Sequence, residues 1–232
     1  MKQIIIGKSF LGKPLTVEFI GDKNSLFKIF LIAGQHGDEK YSKEAVSKLI
    51  DQYRADSKCS FYAAILSNAN PDGFQNQSRN NAQSIDLNRD HLLLQSKETE
   101  AIHVFVRNWM PQIVIDVHNY PSRRKHLLKK HLIINQDIFL DVPTNPAVLP
   151  TLNDKKINEF FSKIKLDLSS KGYSCDRYVI FQKSKQSNIG KKLVRRNKII
   201  GKRIPIYAQF KKKGSEGFYI INIIPTFSLR FF

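Results

Sequence analysis

Two short apolar runs, FKIFLIAG at 27–34 and PQIVIDVH at 111–118, constrain the fold of this chain more than any other feature. Each is rich in β-branched and aliphatic residues, and each stops abruptly at a glycine or a histidine. Runs of that length read as strands buried on both faces. SFYAAILSNANPDG (60–73) reads as a third such strand, broken by a Pro-Asp-Gly turn. Between the runs the apolar spacing changes. Residues 42–54 carry Ala45, Val46, Leu49 and Tyr53 on one helical face. KETEAIHVFVRNW (97–109) has acids in its first turn and an apolar face, and 154–173 predicts a further helix. Residues 3–6 and 15–20 read as strands joined by GKSFLGKP, and 131–142 is strand-like. Strands alternating with helices predict an α/β protein with a mixed, largely parallel sheet. No internal repeat is visible.

At 232 residues with 41% hydrophobic side chains, the chain can build one sizeable core. Its net charge of +18 invites a nucleic-acid reading, but the charge is unevenly spread. Residues 177–232 hold 14 Lys or Arg against a single acid, Glu216, while the first 176 residues hold 24 basic and 19 acidic side chains. No RNP, KH or helix-turn-helix pattern accompanies the basic tail, so nucleic acid is not the expected partner. No apolar run is long enough to span a bilayer and the first residues lack the h-region of a signal peptide, so a cytoplasmic location is the expectation. Cys59 and Cys175, far apart and outside any CxxC, are expected to be reduced.

The chemistry gathers at the ends of the apolar runs. GQHGDE sets His36 and Glu39 three residues apart directly after the strand at 27–34. Ligand sites of α/β sheets lie outside the carboxyl ends of strands. An H-x-x-E pair in a turn that opens a helix can aim imidazole and carboxylate at one ion, although these six residues alone equally suit a solvated turn. His118 ends the run at 111–118. Two close ligands plus a remote histidine form the pattern of a catalytic zinc site with an open fourth position. Between them, SRNNAQSIDLNRD supplies Arg79, Asp86, Asn88 and Arg89, groups able to pair with a carboxylate; a polar surface loop is the plainer reading of the same stretch.

In that order the motifs resemble those of the carboxypeptidase A-like zinc metallocarboxypeptidases, the short microbial members above all. IGKSFLGKPL is similar to the family's opening, GQHGDE to its zinc-binding H-x-x-E, and NPDG to the turn after its next strand. RNNAQSIDLNRD is similar to R-x-N-x-x-G-x-D-L-N-R with Ser84 in place of Gly, and DVHNY to the strand bearing the third ligand. The resemblance covers about residues 1–180. It implies an α/β/α sandwich, with helices on both faces of the central sheet. It further implies Zn2+ held by His36, Glu39 and His118, with Asp86 orienting a ligand histidine. Arg79 would polarise the scissile carbonyl, while Asn88 and Arg89 would grip a substrate carboxylate. The implied activity is zinc-dependent removal of a C-terminal residue from a peptide or amide. An aspartoacylase-like deacylase, acting on acylated amino acids, shares H-x-x-E, the remote His and the N-R pair.

The family also uses a general-base Glu on a late strand. After Glu159 the only Glu is Glu216, in KKKGSEGFY, whose surroundings do not resemble the family's. An inactive zinc-binding relative is therefore a further alternative. The resemblance stops near Phe181, which divides the chain into a catalytic domain at 1–180 and a divergent basic tail at 181–232, expected to be poorly ordered or aberrant. A shifted reading frame is one account of that tail, and a native divergent segment is the other.

Overall fold

The computed structural model describes residues 2–54, 59–91, 93–119, 129, 136–141, 154–177, 179–182, 192–195 and 219–225. Glu216, the basic cluster Arg123, Arg124, Lys125 and Lys130, and most of the tail lie outside the described residues. The chain divides into two compact units, Met1–His118 with Pro205–Ile221, and Asn119–Ile204 with Asn222–Phe232.

In the first unit the order is β1 (Gln3–Lys8), β2 (Pro14–Gly21), β3 (Lys28–Ala33), α1 (Lys40–Arg54), β4 (Tyr62–Leu66), α2 (Pro71–Gln75), α3 (Leu87–Asp90), α4 (Lys97–Trp109) and β5 (Ile113–Val117). The strands lie side by side as β1-β2-β4-β3-β5. β3 runs parallel to β4 and to β5, whereas β1–β2 and β2–β4 are antiparallel. The sheet is thus mixed but not largely parallel, which corrects the sequence-based expectation. The reason lies in the connections. GKSFLGKP is too short to be a crossover and closes β1 and β2 as a hairpin, while the parallel strands are those joined through helices.

Alternation along β2 and β3 sorts the core into two faces. Ile20, Leu31, Ala33, Ala63, Ile65 and Val117 pack with Val46 and Ile50 of α1. Phe19 and Phe30 point to the opposite face, where both rings meet Phe105 of α4. Helices therefore cover both faces of this sheet. Ala45, assigned to the apolar face of α1, is exposed; Ile50 takes its place, giving a stripe of Val46, Leu49, Ile50 and Tyr53 at the spacing expected of a helix.

Helix α4 starts where its cap dictates. The Ser96 hydroxyl accepts from the Thr99 amide at 3.2 Å, and Met110 closes the other end in the left-handed region with φ 54°. The strand expected over 60–73 is shorter, because Asn70 caps a new helix through its Oδ1, which accepts from the Gly73 amide at 2.9 Å. NPDG is the first turn of α2 rather than an isolated turn.

In the second unit, β6 (Ile138–Asp141) runs parallel to β7 (Cys175–Arg177), and α5 (Asp154–Ser170) lies against β7. Strands β8 (Val179–Gln182) and β9 (Lys192–Arg195) form an antiparallel pair. Of β10 (Tyr219–Pro225), residues 222–225 pair antiparallel with β6. Neither cysteine forms a disulfide, and Cys175 is buried. Among the described residues no helix is long and apolar enough to cross a membrane.

Candidate metal centre

The chain leaves β3 for β4 on one side, and β5 returns to pair on the other, so the strand order reverses at β3. A crevice at the carboxyl ends of the strands is the place where such sheets bind ligands. Parallel register sets Ala33 opposite Val117. The residues just beyond, His36 and His118, therefore emerge at the same sheet edge with their rings 4.8 Å apart. Glu39 arrives from the turn that leads into α1, and all three side chains are at least 96% buried.

Their donor atoms converge. Nδ1 of His36 lies 2.7 Å from Glu39 Oε1, and Nδ1 of His118 lies 3.0 Å from Glu39 Oε2. The other ring nitrogens face further acids. His36 Nε2 is 3.1 Å from Asp86 Oδ1, and His118 Nε2 is 2.8 Å from Asp116 Oδ2. A neutral imidazole carries one N–H. When that hydrogen is given to Asp86 or Asp116, each ring presents a bare Nδ1 to an ionised carboxylate, lone pair against lone pair. A cation between them resolves that conflict. Around tetrahedral zinc, with bonds of about 2.1 Å, donors lie about 3.4 Å apart, and the three donor atoms here all lie within 4.8 Å of one another. The set of two imidazoles and one carboxylate thus fits a zinc ion by chemistry as well as by distance.

Electrostatics supports an ionised Glu39. Without a cation, where a ring hydrogen takes its place at Nδ1, burial pushes its carboxyl upward, but the charges and hydrogen bonds of His118 and His36 outweigh this and hold it at about 2. Burial likewise raises Asp86, and here the His36 hydrogen bond and charge, then Arg79 and Arg89, hold it well below the usual carboxylate range.

Of the other residues singled out from sequence, Arg79 donates from Nε and Nη2 to Asp86 Oδ2 at 3.1 and 3.0 Å, and its Nη1 lies 3.4 Å from His36 Nδ1. Its guanidinium stands beside the ligand cluster. Asn88 Nδ2 lies 3.0 Å from His118 Nε2, beside the shorter Asp116 contact, and Arg89 Nη1 donates to the Asn88 carbonyl at 2.9 Å. The loop at 79–89 and the two strand ends are thereby drawn together. Asp116 was not singled out from sequence. Its signal was available, as the only charged residue within an apolar strand, two positions before His118 and so on the same side of the strand.

Close packing holds the H-x-x-E turn in position. A Cβ on Gly37 would lie 2.0 Å from the Gly73 carbonyl carbon and 2.3 Å from the Phe74 nitrogen, so this turn rests on the backbone of α2. GQHGDE and NPDG are linked in space as well as in motif order. Gly37→Ala is expected to push the turn off α2 and destabilise the protein by about 2 kcal/mol, the range of overpacking. Urea denaturation checks this, and an unchanged midpoint would show that the turn is free to move.

Comparison with known proteins agrees with this geometry. Residues 25–140, half of the chain, match the family model of the succinylglutamate desuccinylase/aspartoacylase catalytic domain. The chain belongs to this family and, with it, to the carboxypeptidase A-like proteins. Carboxypeptidase 2 of Trichophyton tonsurans is 25% identical over 171 residues, covering 70% of this chain and 31% of its own length. Carboxypeptidase SOL1 of Arabidopsis thaliana is 34% identical over 128 residues, covering 44% of this chain and 26% of its own. The chain therefore spans less than a third of the length of these relatives. Among solved structures, the family fold recurs in a metallo-carboxypeptidase from Burkholderia cenocepacia, with a TM-score of 0.64 and 18% identity over 97% of this chain and 55% of that one. It recurs also in the Pseudomonas aeruginosa metallo-carboxypeptidase in complex with (2-guanidinoethylmercapto)succinic acid, with a TM-score of 0.62 and 17% identity over 95% and 54%.

Proposed function

We propose that this protein is a zinc hydrolase that cleaves an amide bond next to a free carboxylate, removing the C-terminal residue of a peptide. The observation that carries the reading is the pair of buried Nδ1 atoms facing one ionised carboxylate, each ring held from behind by an acid. His36, Glu39 and His118 hold the metal. When bound, zinc supplies a Lewis acid that polarises a carbonyl and acidifies water. Asp86 orients His36 by accepting from Nε2, and Asp116 does the same for His118. Arg79, whose guanidinium reaches the ligand cluster, stabilises negative charge developing on the carbonyl oxygen. Asn88 and Arg89 bind the substrate carboxylate, which requires the Arg89 guanidinium to turn from the Asn88 carbonyl toward substrate. Residues 1–180 form the catalytic domain and the residues beyond a divergent tail.

A second reading, an aspartoacylase-like deacylase of acylated amino acids, is favoured by the family model. A third, an inactive zinc-binding relative, is favoured by the surroundings of Glu216, since a general base typically contributes roughly 10²–10⁴-fold.

One experiment separates them: zinc-loaded protein is assayed on a panel of C-terminal peptides and a panel of N-acyl amino acids. Peptide turnover is expected, abolished by a chelator and by His118→Ala. Turnover confined to acyl amino acids selects the deacylase. Stoichiometric zinc binding without turnover on either panel selects the inactive relative.

A further inference from the structure

Two buried histidines, His91 and His103, have no part in the hydrolytic reading, yet they connect to the metal centre through an unbroken line of hydrogen bonds. The direction of each bond follows from which atoms can donate. Asp116 Oδ2 accepts, so Gln35 turns its Nε2 amide toward it at 2.7 Å. Gln35 Oε1 then faces His91 Nε2 at 2.6 Å, and since that oxygen only accepts, His91 carries its hydrogen on Nε2. In a neutral ring His91 Nδ1 is then bare, and His103 Nε2, 3.1 Å away, donates to it. The two rings lie edge to edge and nearly parallel, with centroids 5.3 Å apart and 24° between their planes. The side chains of His103, His91, Gln35, Asp116 and His118 are all at least 95% buried, so water does not replace a missing link. Asp116 Oδ1 is buried and accepts no hydrogen bond among the described residues. Among the described residues, the pose of this carboxylate therefore rests on Gln35 and His118.

We propose that Gln35, His91 and His103 are positioning residues that hold Asp116 in place, so that His118 keeps its hydrogen on Nε2 and its bare Nδ1 toward the cation. The proposal rests on the metal-site reading above. It links α4, which carries His103, and the end of α3, where His91 sits, to a ligand at the end of β5. The line works only while both histidines are neutral, and burial lowers the pKa of each, that of His103 to about 4.

The test measures zinc affinity by chelator competition, and the absorption spectrum of the cobalt-substituted protein, for four proteins. These are the unaltered chain, His91→Phe, Gln35→Met and His91→Gln. The first two variants interrupt the line with side chains of similar size. His91→Gln restores an amide donor near the Nε2 position. Loss of a group that supports a ligand typically costs 10–100-fold in metal affinity, and the lower end applies at this distance. The two interrupting variants should bind zinc about tenfold more weakly with a shifted cobalt spectrum, and His91→Gln should stay within about twofold of the unaltered protein. Either interrupting variant alone suffices if the other does not fold. The proposal is overturned if the folded interrupting variants bind as tightly as the unaltered chain, or if His91→Gln is as weak as His91→Phe. Failure of the unaltered chain to bind zinc overturns the metal-site reading itself, a different outcome.

Discussion

Replacing Glu39 with glutamine is expected to lower zinc affinity by about two to three orders of magnitude. Zinc binding by four-ligand peptide sites is worth about 10–16 kcal/mol, or roughly 2.5–4 kcal/mol per ligand, which is a factor of about 70 to 900. Glutamine keeps the size of the side chain but removes the charge that both Nδ1 atoms face. The same variant reads out in acid without metal. In the unaltered protein the Glu39 carboxyl is held at about 2, against an ordinary 4.5. A carboxyl lowered on folding adds stability above its unfolded pKa, and that stability disappears as pH falls through the folded one. Between pH 4.5 and 2 the zinc-free protein should therefore lose up to about 3 kcal/mol that Glu39→Gln never had. Chelator competition and acid denaturation check the two halves. A zinc affinity within tenfold of the unaltered chain would remove Glu39 from the ligand set.

The parts legible in the sequence were those written locally. Four strands and two helices of the first unit appear within a few residues of their expected bounds, since each is a run of one periodicity. His36 and Glu39 were visible because one short turn brings both to the same point. His118 could be joined to them only through the rule that sites lie at the carboxyl ends of strands, and the parallel pairing of β3 with β5 makes that rule hold here. The share of parallel pairing is smaller than expected, because apolar composition does not distinguish a hairpin strand from a crossover strand. The line from Asp116 through Gln35 and His91 to His103 was hidden for a different reason. Its members are 12 to 81 positions apart in sequence, and each looks ordinary beside its own neighbours. His103 in particular sits on the apolar face of α4 like any core residue, and only its partner across the fold distinguishes it.

That pair makes the stability of the zinc-free protein sensitive to mild acid. Burial, and then the positive charge of Arg107, lower His103 to about 4 from an ordinary 6.5, against the opposing pull of Asp90. Burial, followed by the charges of His103 and His118, likewise lowers His91 well below its ordinary value. A histidine with a depressed folded pKa binds its proton in the unfolded chain first. Its contribution is complete above pH 6.5 and is lost as pH falls toward 4. At 1.36 kcal/mol per unit, His103 alone accounts for about 3 kcal/mol over that interval. His103→Gln removes this titration while leaving an amide that can still donate to His91. Urea denaturation at a series of pH values from 7 to 4 should give a markedly shallower decline for the variant than for the unaltered protein. Parallel curves would mean that His103 takes up its proton without unfolding, and would free it from the buried, neutral state that its contact with His91 requires.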